Sequence, residues 1–432
     1  MNALAEELNS SLGGTAALRL LSDMGKRMYF PKGILAQSAE AKAKAKRFNA
    51  TIGMACEDGQ PLVLSAIKEG LPTLSAGEAV AYAPTDGVKA LRARWREEML
   101  LKNPGLKGRN FSVPVVAPGL TAAISYVSDL FLNRGDLVVL PELYWPNYRL
   151  IMVERKEAEI VTYPTFNAQG GFNIAGLETK LLETGKKQGK AVTVLNFPNN
   201  PTGYSPTTKE AAEIVAALKR VAAQGIDLLV ICDDAYFGLQ YEKGLIAESL
   251  FASLAECDER ILAVKADGPT KEEFVWGFRI GFVTFSAKGM SDAQYEALVK
   301  KLMGVVRSSV SNSSAPVQHL FLKALDAPSR PDEKRKYRGL LADRYAKVRA
   351  FVDRTALPPA LKVLPFNSGY FMSFECVGIS AEKLRLALLD EGIGTISMQD
   401  HYLRVAFSSV DAKDVDALYS AIYSAAAALA KA

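Results

Sequence analysis

The middle of the chain alternates short apolar runs with segments whose apolar residues recur at helical spacing. In 87–101, for example, Val88, Leu91, Trp95 and Met99 share one helical face. Uninterrupted apolar runs separated by helices are typical of strands buried on both faces of a parallel sheet. The pattern predicts an α/β fold, with strands at 112–117, 137–140, 159–163, 192–196, 227–232, 261–265 and 280–285, and with helices that include 121–132 and 209–223.

The two ends of the chain have a different pattern of apolar and charged residues. After residue 318 a long charged helix at 330–354 precedes strands at 370–374 and 403–407, a helix at 381–390 and an alanine-rich terminal helix. Separate helices and short strands indicate an α+β domain. The opening residues combine a helical start, a charged tract and a short edge element at 50–55. We therefore expect an N-terminal arm and part of a small domain in 1–74, a large domain in 75–318 and the rest of the small domain in 319–432.

Composition narrows the class of protein. The 432 residues are 49% hydrophobic and 23% charged. A net charge of +5 over the whole chain is too small to neutralise a row of phosphates. Four widely spaced cysteines indicate neither a disulfide framework nor a zinc site, and we expect no bound metal. No run approaches the roughly 18 apolar residues of a membrane span. These features indicate a cytoplasmic protein that binds neither nucleic acid nor a membrane.

Candidate chemistry follows several of the predicted strands, where ligands of open parallel sheets bind. A glycine turn at Gly119 runs into a helix and could hold an anion on free backbone N–H groups. The turn Asn200-Pro201-Thr202-Gly203 follows the predicted strand 192–196, and Asp233 follows the predicted strand 227–232. Each feature alone is equally explained as a tight turn or a helix cap.

A lysine follows the predicted strand 261–265. Lys271 comes after Asp267-Gly268-Pro269-Thr270, and Arg279 stands eight residues further on, between Gly277 and Gly281. A lone lysine is usually a solvated surface group. The rival lysine, Lys265, is followed at the same spacing by Glu273 instead of arginine. The choice between the two lysines depends on a family resemblance, which favours Lys271.

In this order the motifs resemble those of the pyridoxal-phosphate-dependent aminotransferases of fold type I, class I/II. That family has a Gly-x-Thr turn, an Asn-Pro-x-Gly turn, an Asp-x-x-Tyr strand end and a Lys followed by Arg. The resemblance runs from about residue 82 to 404. It implies a large domain with a mostly parallel seven-stranded sheet flanked by helices, a smaller α+β domain from both chain ends, and a homodimer with shared active sites. The implied reaction moves an amino group between an L-amino acid and a 2-oxo acid.

The resemblance assigns the catalytic roles. Asp233 would keep the pyridine nitrogen of pyridoxal 5′-phosphate protonated, because a buried anion raises the pKa of a neighbouring cation. Tyr236 and Asn200 would hydrogen-bond the ring O3′. Lys271 would form the internal Schiff base and later move the proton between Cα and C4′.

The remaining cofactor contacts are also implied by the resemblance. Arg279 would bind the phosphate with its planar fork, and Gly119, Leu120 and Thr121 would supply backbone and hydroxyl donors. Tyr82 would reach the phosphate of the neighbouring subunit; otherwise it is a loop tyrosine packed on helix 87–101.

Three positions concern the ring and departures from the family pattern. Trp145 would stack on the cofactor ring, although its composition context fits a buried core tryptophan near a loop equally well. The histidine that often follows by three residues is Tyr148 here. Gly268 stands where the family usually has a phosphate-binding serine, so that contact is missing or is taken over by Thr270 or Asp267.

The substrate residues complete the expected site. Leu403, Val405 and Phe407 share one face of their strand, so Arg404 points to water or to a site. The family places its α-carboxylate clamp there. Arg307 would bind a distal carboxylate from the adjacent subunit, and Gly53 is a third expected substrate contact. The donor would then be aspartate or glutamate, with aromatic amino acids as an alternative.

Other functions remain open at this level. A β-eliminating C–S lyase or a decarboxylase of the same fold would share the cofactor residues. A regulatory ligand sensor on this fold would need an added DNA-binding domain, and the residues before Ala50 are too few and too weakly basic for one.

Overall fold

The computed structural model describes residues 1–3, 6–7, 10, 34–51, 55–58, 60–62, 64–70 and 73–431. Its strands are β1 (Phe48–Asn49), β2 (Cys56–Glu57), β3 (Gln60–Pro61), β4 (Val115–Ala117), β5 (Leu137–Pro141), β6 (Glu159–Tyr163), β7 (Lys190–Asn196), β8 (Asp227–Asp233), β9 (Ile261–Asp267), β10 (Gly281–Ser286), β11 (Leu361–Val363), β12 (Phe371–Cys376), β13 (Ile393–Gly394), β14 (Ile396–Met398) and β15 (Tyr402–Ala406). Its α-helices are α1 (Ile34–Lys44), α2 (Ser65–Gly70), α3 (Ala76–Val80), α4 (Lys89–Lys102), α5 (Leu120–Phe131), α6 (Ile174–Gln188), α7 (Thr208–Ala222), α8 (Leu250–Leu254), α9 (Pro269–Glu272), α10 (Asp292–Ser309), α11 (Ala315–Leu325), α12 (Arg330–Arg354), α13 (Ala381–Asp390) and α14 (Val415–Leu429).

The large domain is built on a seven-stranded sheet of order β4-β10-β9-β8-β7-β5-β6. Neighbouring pairs from β9 to β6 are parallel, whereas β10 runs antiparallel to both β9 and β4. All but the first residue of β8 are buried, as the apolar runs predicted for strands covered on both faces. The predicted α/β class and mostly parallel sheet are confirmed.

The sheet separates two apolar cores. Val230 and Cys232 of β8 belong to the core that includes Trp95 of α4, whereas Ile231 belongs to the core under α5. Successive residues of a strand point to opposite faces, so the same strand ends carry side chains into both cores. Two polar groups at neighbouring strand ends can therefore meet only if they lie on the same face of the sheet.

The small domain combines both ends of the chain, as expected. Strands β11-β12-β15-β14 form an antiparallel sheet, and β1 pairs in parallel with β13 through Phe48 and Ile393. Helix α12 links the domains, because Leu341 packs in a large-domain core while Val348 and Phe351 pack in the small-domain core. The domain boundaries given above stay predictions.

Most predicted elements lie within a few residues of the observed ones. Strand β6 and helices α12 and α13 have the predicted bounds. Residues 112–114 lie outside β4, and helices α6 and α10 were not predicted. No helix of the described part of the chain is both long and apolar enough to cross a membrane.

Candidate active site

The turn that follows β7 and the end of β8 are tied together at the carboxyl edge of the sheet. Asn196 and Asp233 are register partners, and Asn196 Nδ2 donates to the main-chain oxygen of Asp233 at 3.0 Å. The backbone N–H of Asn200 donates to Asn196 Oδ1 at 2.8 Å. Two of the predicted site motifs therefore lie side by side.

Asp233 is a buried carboxylate that is held in one orientation. Its Oδ2 accepts a hydrogen bond from the Tyr148 hydroxyl, and its Oδ1 accepts one from the N–H of Ala235 at 3.0 Å. Burial raises the pKa of Asp233, while the Tyr148 hydrogen bond and the charge of Lys271 lower it. A carboxylate offers about four lone-pair positions, so these two donors leave room for a third.

Tyr148 is a site residue that the sequence analysis noted only as a replacement for histidine. Trp145 presents its ring edge-on to Tyr148, with centroids 5.4 Å apart, and remains half-buried. A π-helix, Arg149–Glu154, begins directly after Tyr148. The three-residue spacing between Trp145 and Tyr148 was the one signal in the sequence that pointed to Tyr148 as a site residue.

Lys271 lies in the short helix α9 beside the ring of Tyr236, with its Nζ 4.6 Å from the ring centre. Burial lowers the pKa of Lys271 to about 8; Asp233 acts to raise that pKa and Arg279 acts to lower it further. The phenol of Tyr370 donates to the main-chain oxygen of Lys271 at 3.3 Å. An amine with this pKa is partly neutral, and therefore nucleophilic, near neutral pH.

The rival lysine has a different environment. Lys265 is fully buried in β9 and forms ion pairs with Asp234 and, at 3.1 Å, with Asp267. These two carboxylates raise the pKa of Lys265 despite its burial. Asp267 also accepts a hydrogen bond from Trp95 at 3.3 Å, so it is taken up by this ion-pair cluster. These contacts argue against Asp267 as the replacement for the missing serine, and the alternative of Thr270 stays a prediction.

A cradle without side chains lies at the start of α5. Gly119 has φ +94°, and a Cβ placed on it would lie 2.5 Å from Nη2 of Arg279. A Cβ on Gly281 would lie 2.6 Å from the carbonyl carbon of Gly119 and 2.8 Å from the nitrogen of Leu120. No side chain caps α5, so its first N–H groups and the Arg279 guanidinium form a site for an anion, beside half-buried Thr121.

Gly268 has a steric explanation. A Cβ at this position would lie 2.8 Å from the main-chain oxygen of Ile280. The close approach of β10 therefore leaves no room for the side chain that the family usually has there.

Arg404 is a buried cation at the junction of the two domains. Its Nη1 donates to Asn200 Oδ1 at 3.0 Å, and its guanidinium carbon lies 4.3 Å from the centre of the Phe371 ring. Within the described residues its Nε has no hydrogen-bond partner and the side chain has no ion pair. Burial lowers the pKa of Arg404 to about 10. Arg404 is 3% exposed. Of the two orientations predicted for its side chain, the one toward water is therefore wrong.

Three expected residues are not brought to this group. Tyr82 is 93% exposed, so it does not pack on α4. Arg307 is exposed at the end of α10, where its Nη1 donates to Ser311 Oγ at 2.5 Å. Gly53 lies outside the described residues. The roles given to these residues stay predictions.

Comparison with known proteins places this geometry in a family. The model of the family described as aminotransferase class I and II matches residues 49–422. An aspartate aminotransferase of Bacillus sp. (strain YM-2) is 25% identical over 314 residues, which cover 72% of this chain and 71% of that protein.

Two solved structures share the fold. An aminotransferase from Anaerococcus prevotii superposes with a TM-score of 0.82 at 23% identity, over 92% of this chain and 98% of that one. Aspartate aminotransferase from Thermus thermophilus, solved with maleate, superposes with a TM-score of 0.73 at 20% identity, over 94% and 99%.

Proposed function

The chain belongs to the class I and II aminotransferase family, and from this premise we propose that its amino donor is an acidic L-amino acid, aspartate or glutamate. Family membership makes the protein a pyridoxal-phosphate-dependent transaminase that acts on an amino acid and a 2-oxo acid. The donor, the roles of individual residues and the dimer are the parts that we propose.

The residues present fit pyridoxal phosphate. The cradle of Gly119, Gly281 and Arg279 suits a phosphate, because any Cβ would fill it and its donors are unpaired N–H groups and a guanidinium. Asp233 keeps a lone pair free for a protonated ring nitrogen. When bound, the cofactor acts as an electron sink that stabilises negative charge at the substrate Cα.

The chain's own residues then have separate tasks. Asp233 holds the proton on the ring nitrogen, supported by the hydrogen bond from Tyr148. Lys271 would hold the cofactor covalently and would carry the proton from the substrate Cα. Tyr236 and Asn200 would donate to the ring oxygen, and the rings of Tyr236 and Phe371, which meet edge-on, would keep water from the reacting atoms.

One observation carries the assignment of an amino-acid substrate: Arg404 is buried without a carboxylate partner in the described part of the chain. A buried cation costs free energy unless an anion meets it. The substrate α-carboxylate supplies that anion, and Asn200 fixes the orientation of the guanidinium.

A second carboxylate is the basis for the acidic donor. Arg307 is an exposed arginine at the end of α10, and we assign it to the distal carboxylate in the active site of a partner subunit. Tyr82, which is also exposed, is assigned to the partner's phosphate. The relatives support this reading, since one is named aspartate aminotransferase and one was solved with maleate, a dicarboxylate.

The test compares two arginine variants on two donors. Arg404→Ala should weaken glutamate and a neutral amino acid alike. Arg307→Ala should lower kcat/KM for glutamate roughly 10- to 100-fold, since a charge-assisted pair contributes about 1.5–3 kcal/mol, and leave the neutral donor nearly unchanged. Equal losses on both donors from Arg307→Ala would remove the acidic-donor assignment.

A further inference from the structure

A buried carboxylate lies two residues after Lys271. Glu273 is fully buried, and both of its oxygens accept from Arg330, with Nε at 3.0 Å and Nη2 at 2.7 Å. Lys334 Nζ donates to the same carboxylate at 2.6 Å. Both cations come from the beginning of α12, so the Lys271 segment is fastened to the helix that links the two domains.

Arg330 holds a second carboxylate in the same manner. Its Nη1 and Nη2 donate to Glu98 of α4 at 3.1 and 2.9 Å. Glu98 is also buried, but it stands on a helix that carries none of the residues assigned to the cofactor. Arg330 therefore binds two carboxylates of similar burial, Glu273 and Glu98. Only Glu273 is close to Lys271 in the sequence.

The backbone between Lys271 and Arg279 is strained. Phe274 has φ +56° and Arg279 has φ +52°, the left-handed region that bulky side chains rarely adopt. The Phe274 ring is buried and meets the Tyr337 ring of α12 edge-on at 5.1 Å between centroids. Contacts with α12 thus hold both Glu273 and the residue after it.

A short backbone path joins Glu273 to Lys271. The N–H of Glu273 donates to the main-chain oxygen of Pro269 at 2.8 Å and closes the single turn of α9. A four-residue helix cannot hold its own shape in water, because helix formation needs a costly nucleus. The turn that carries Lys271 therefore depends on contacts made from outside it.

We propose that Glu273 is a positioning residue for Lys271, holding the turn of α9 in place through Arg330 and Lys334. The inference rests on the proposed role of Lys271. It does not make Glu273 a catalytic residue, since the carboxylate faces α12 and acts through the backbone.

The experiment compares Glu273→Gln with the matched variant Glu98→Gln. In each variant one carboxylate of Arg330 becomes an amide of the same shape. In the holoenzyme, Glu273→Gln should move the pH midpoint of the cofactor's visible absorbance by at least ~0.5 pH unit and weaken binding of pyridoxal phosphate on the order of tenfold, because displaced reacting groups lose their geometry. Glu98→Gln should leave both values near those of the unaltered protein, although both variants should unfold at lower temperature.

Equal shifts in the two variants, or none in either, would overturn the proposal. If Glu273→Gln does not fold, Lys334→Met takes its place, because Lys334 is less buried and bonds Glu273 directly; it should give a smaller shift in the same direction, and no shift would also overturn the proposal. Borohydride reduction of the unaltered holoenzyme separates the two hypotheses: a label elsewhere than Lys271 rejects the proposed function itself.

Discussion

Lys265 and Lys271 stand six residues apart, one inside β9 and one just beyond it, and they differ in their charged neighbours. Two carboxylates, Asp234 and Asp267, contact Lys265 and raise its pKa. Lys271 faces a single carboxylate, Asp233, together with the cation of Arg279, and burial lowers its pKa to about 8. Burial alone does not set the direction in which the pKa of a lysine shifts; the balance of neighbouring charges decides it.

Asp233, the last residue of β8, and Asp234, which follows it, repeat the contrast. Asp233 shares its face of the sheet with Ile231 and accepts hydrogen bonds from Tyr148 and Ala235. Asp234 points to the other face, where it binds Lys265 and accepts from Ser249 Oγ at 2.6 Å. One face therefore offers a carboxylate to a ligand, and the other encloses its carboxylates in an ion-pair cluster.

The largest expected effect is the loss of Lys271. Lys271→Ala should lower the rate of amino-group transfer by on the order of 10²–10⁴, because a positioned acid–base group is removed. Borohydride reduction followed by peptide mapping should place the pyridoxyl label of the unaltered enzyme on Lys271. A label on Lys265 would reverse the comparison.

The next effect concerns stability. Lys265→Met should lower the free energy of unfolding by about 3–5 kcal/mol, because Asp234 and Asp267 are left buried without their cation. Lys271→Met, the matched variant, should change it by much less, since that lysine's charged form is disfavoured by folding. Denaturant unfolding of both apoenzymes measures the difference, and equal losses would contradict it.

The pH dependence of the Lys265→Met deficit has a definite sign. Burial raises the pKa of Asp234 and of Asp267, and the charge of Lys265 opposes that rise, so removing Lys265 raises both folded-state pKa values further. A raised folded-state pKa means that stability is lost as the pH rises through it. The deficit should therefore be larger at pH 8 than at pH 5.

A smaller effect separates the two aspartates. Asp233→Asn should still bind pyridoxal phosphate but transfer amine roughly 10- to 100-fold more slowly, because an amide cannot hold the ring proton. Asp234→Asn should lower stability by about 1–3 kcal/mol and change the rate little. Steady-state kinetics and unfolding curves of the pair give both numbers; near-normal turnover in Asp233→Asn would remove its assigned role.

The smallest effect is on cofactor uptake. Because the pKa of Lys271 is about 8, about a tenth of the amine is neutral at pH 7 and about nine tenths at pH 9. The rate at which the apoenzyme takes up pyridoxal phosphate should rise roughly tenfold over that range and then level off. A rate that still climbs steeply above pH 9 would show an unperturbed lysine.

The sequence by itself determined the fold class and the reactive motifs. Buried strands such as β8 appear as continuous apolar runs, and helix α12 has a charged pattern whose ends are marked locally, so these elements could be predicted. The order of Gly119, Asn200, Asp233 and Lys271 identified the family because each follows a strand of one sheet. Helix α10 was missed although Ser291 and Gln294 form a capping box at its start.

Only the tertiary structure decided what each charged side chain meets. Arg330 and Glu273 are 57 residues apart, and Tyr148 and Asp233 are 85 apart, so no local pattern joins them. The alternation of a strand tells which residues share a face, but the partner across the sheet depends on register and on the helices packed above it. For the same reason the sequence could place Lys265 in a strand and Lys271 after it. The carboxylates of Asp234 and Asp233, which act on these two lysines, come from the end of β8 and are brought there only by the folded chain.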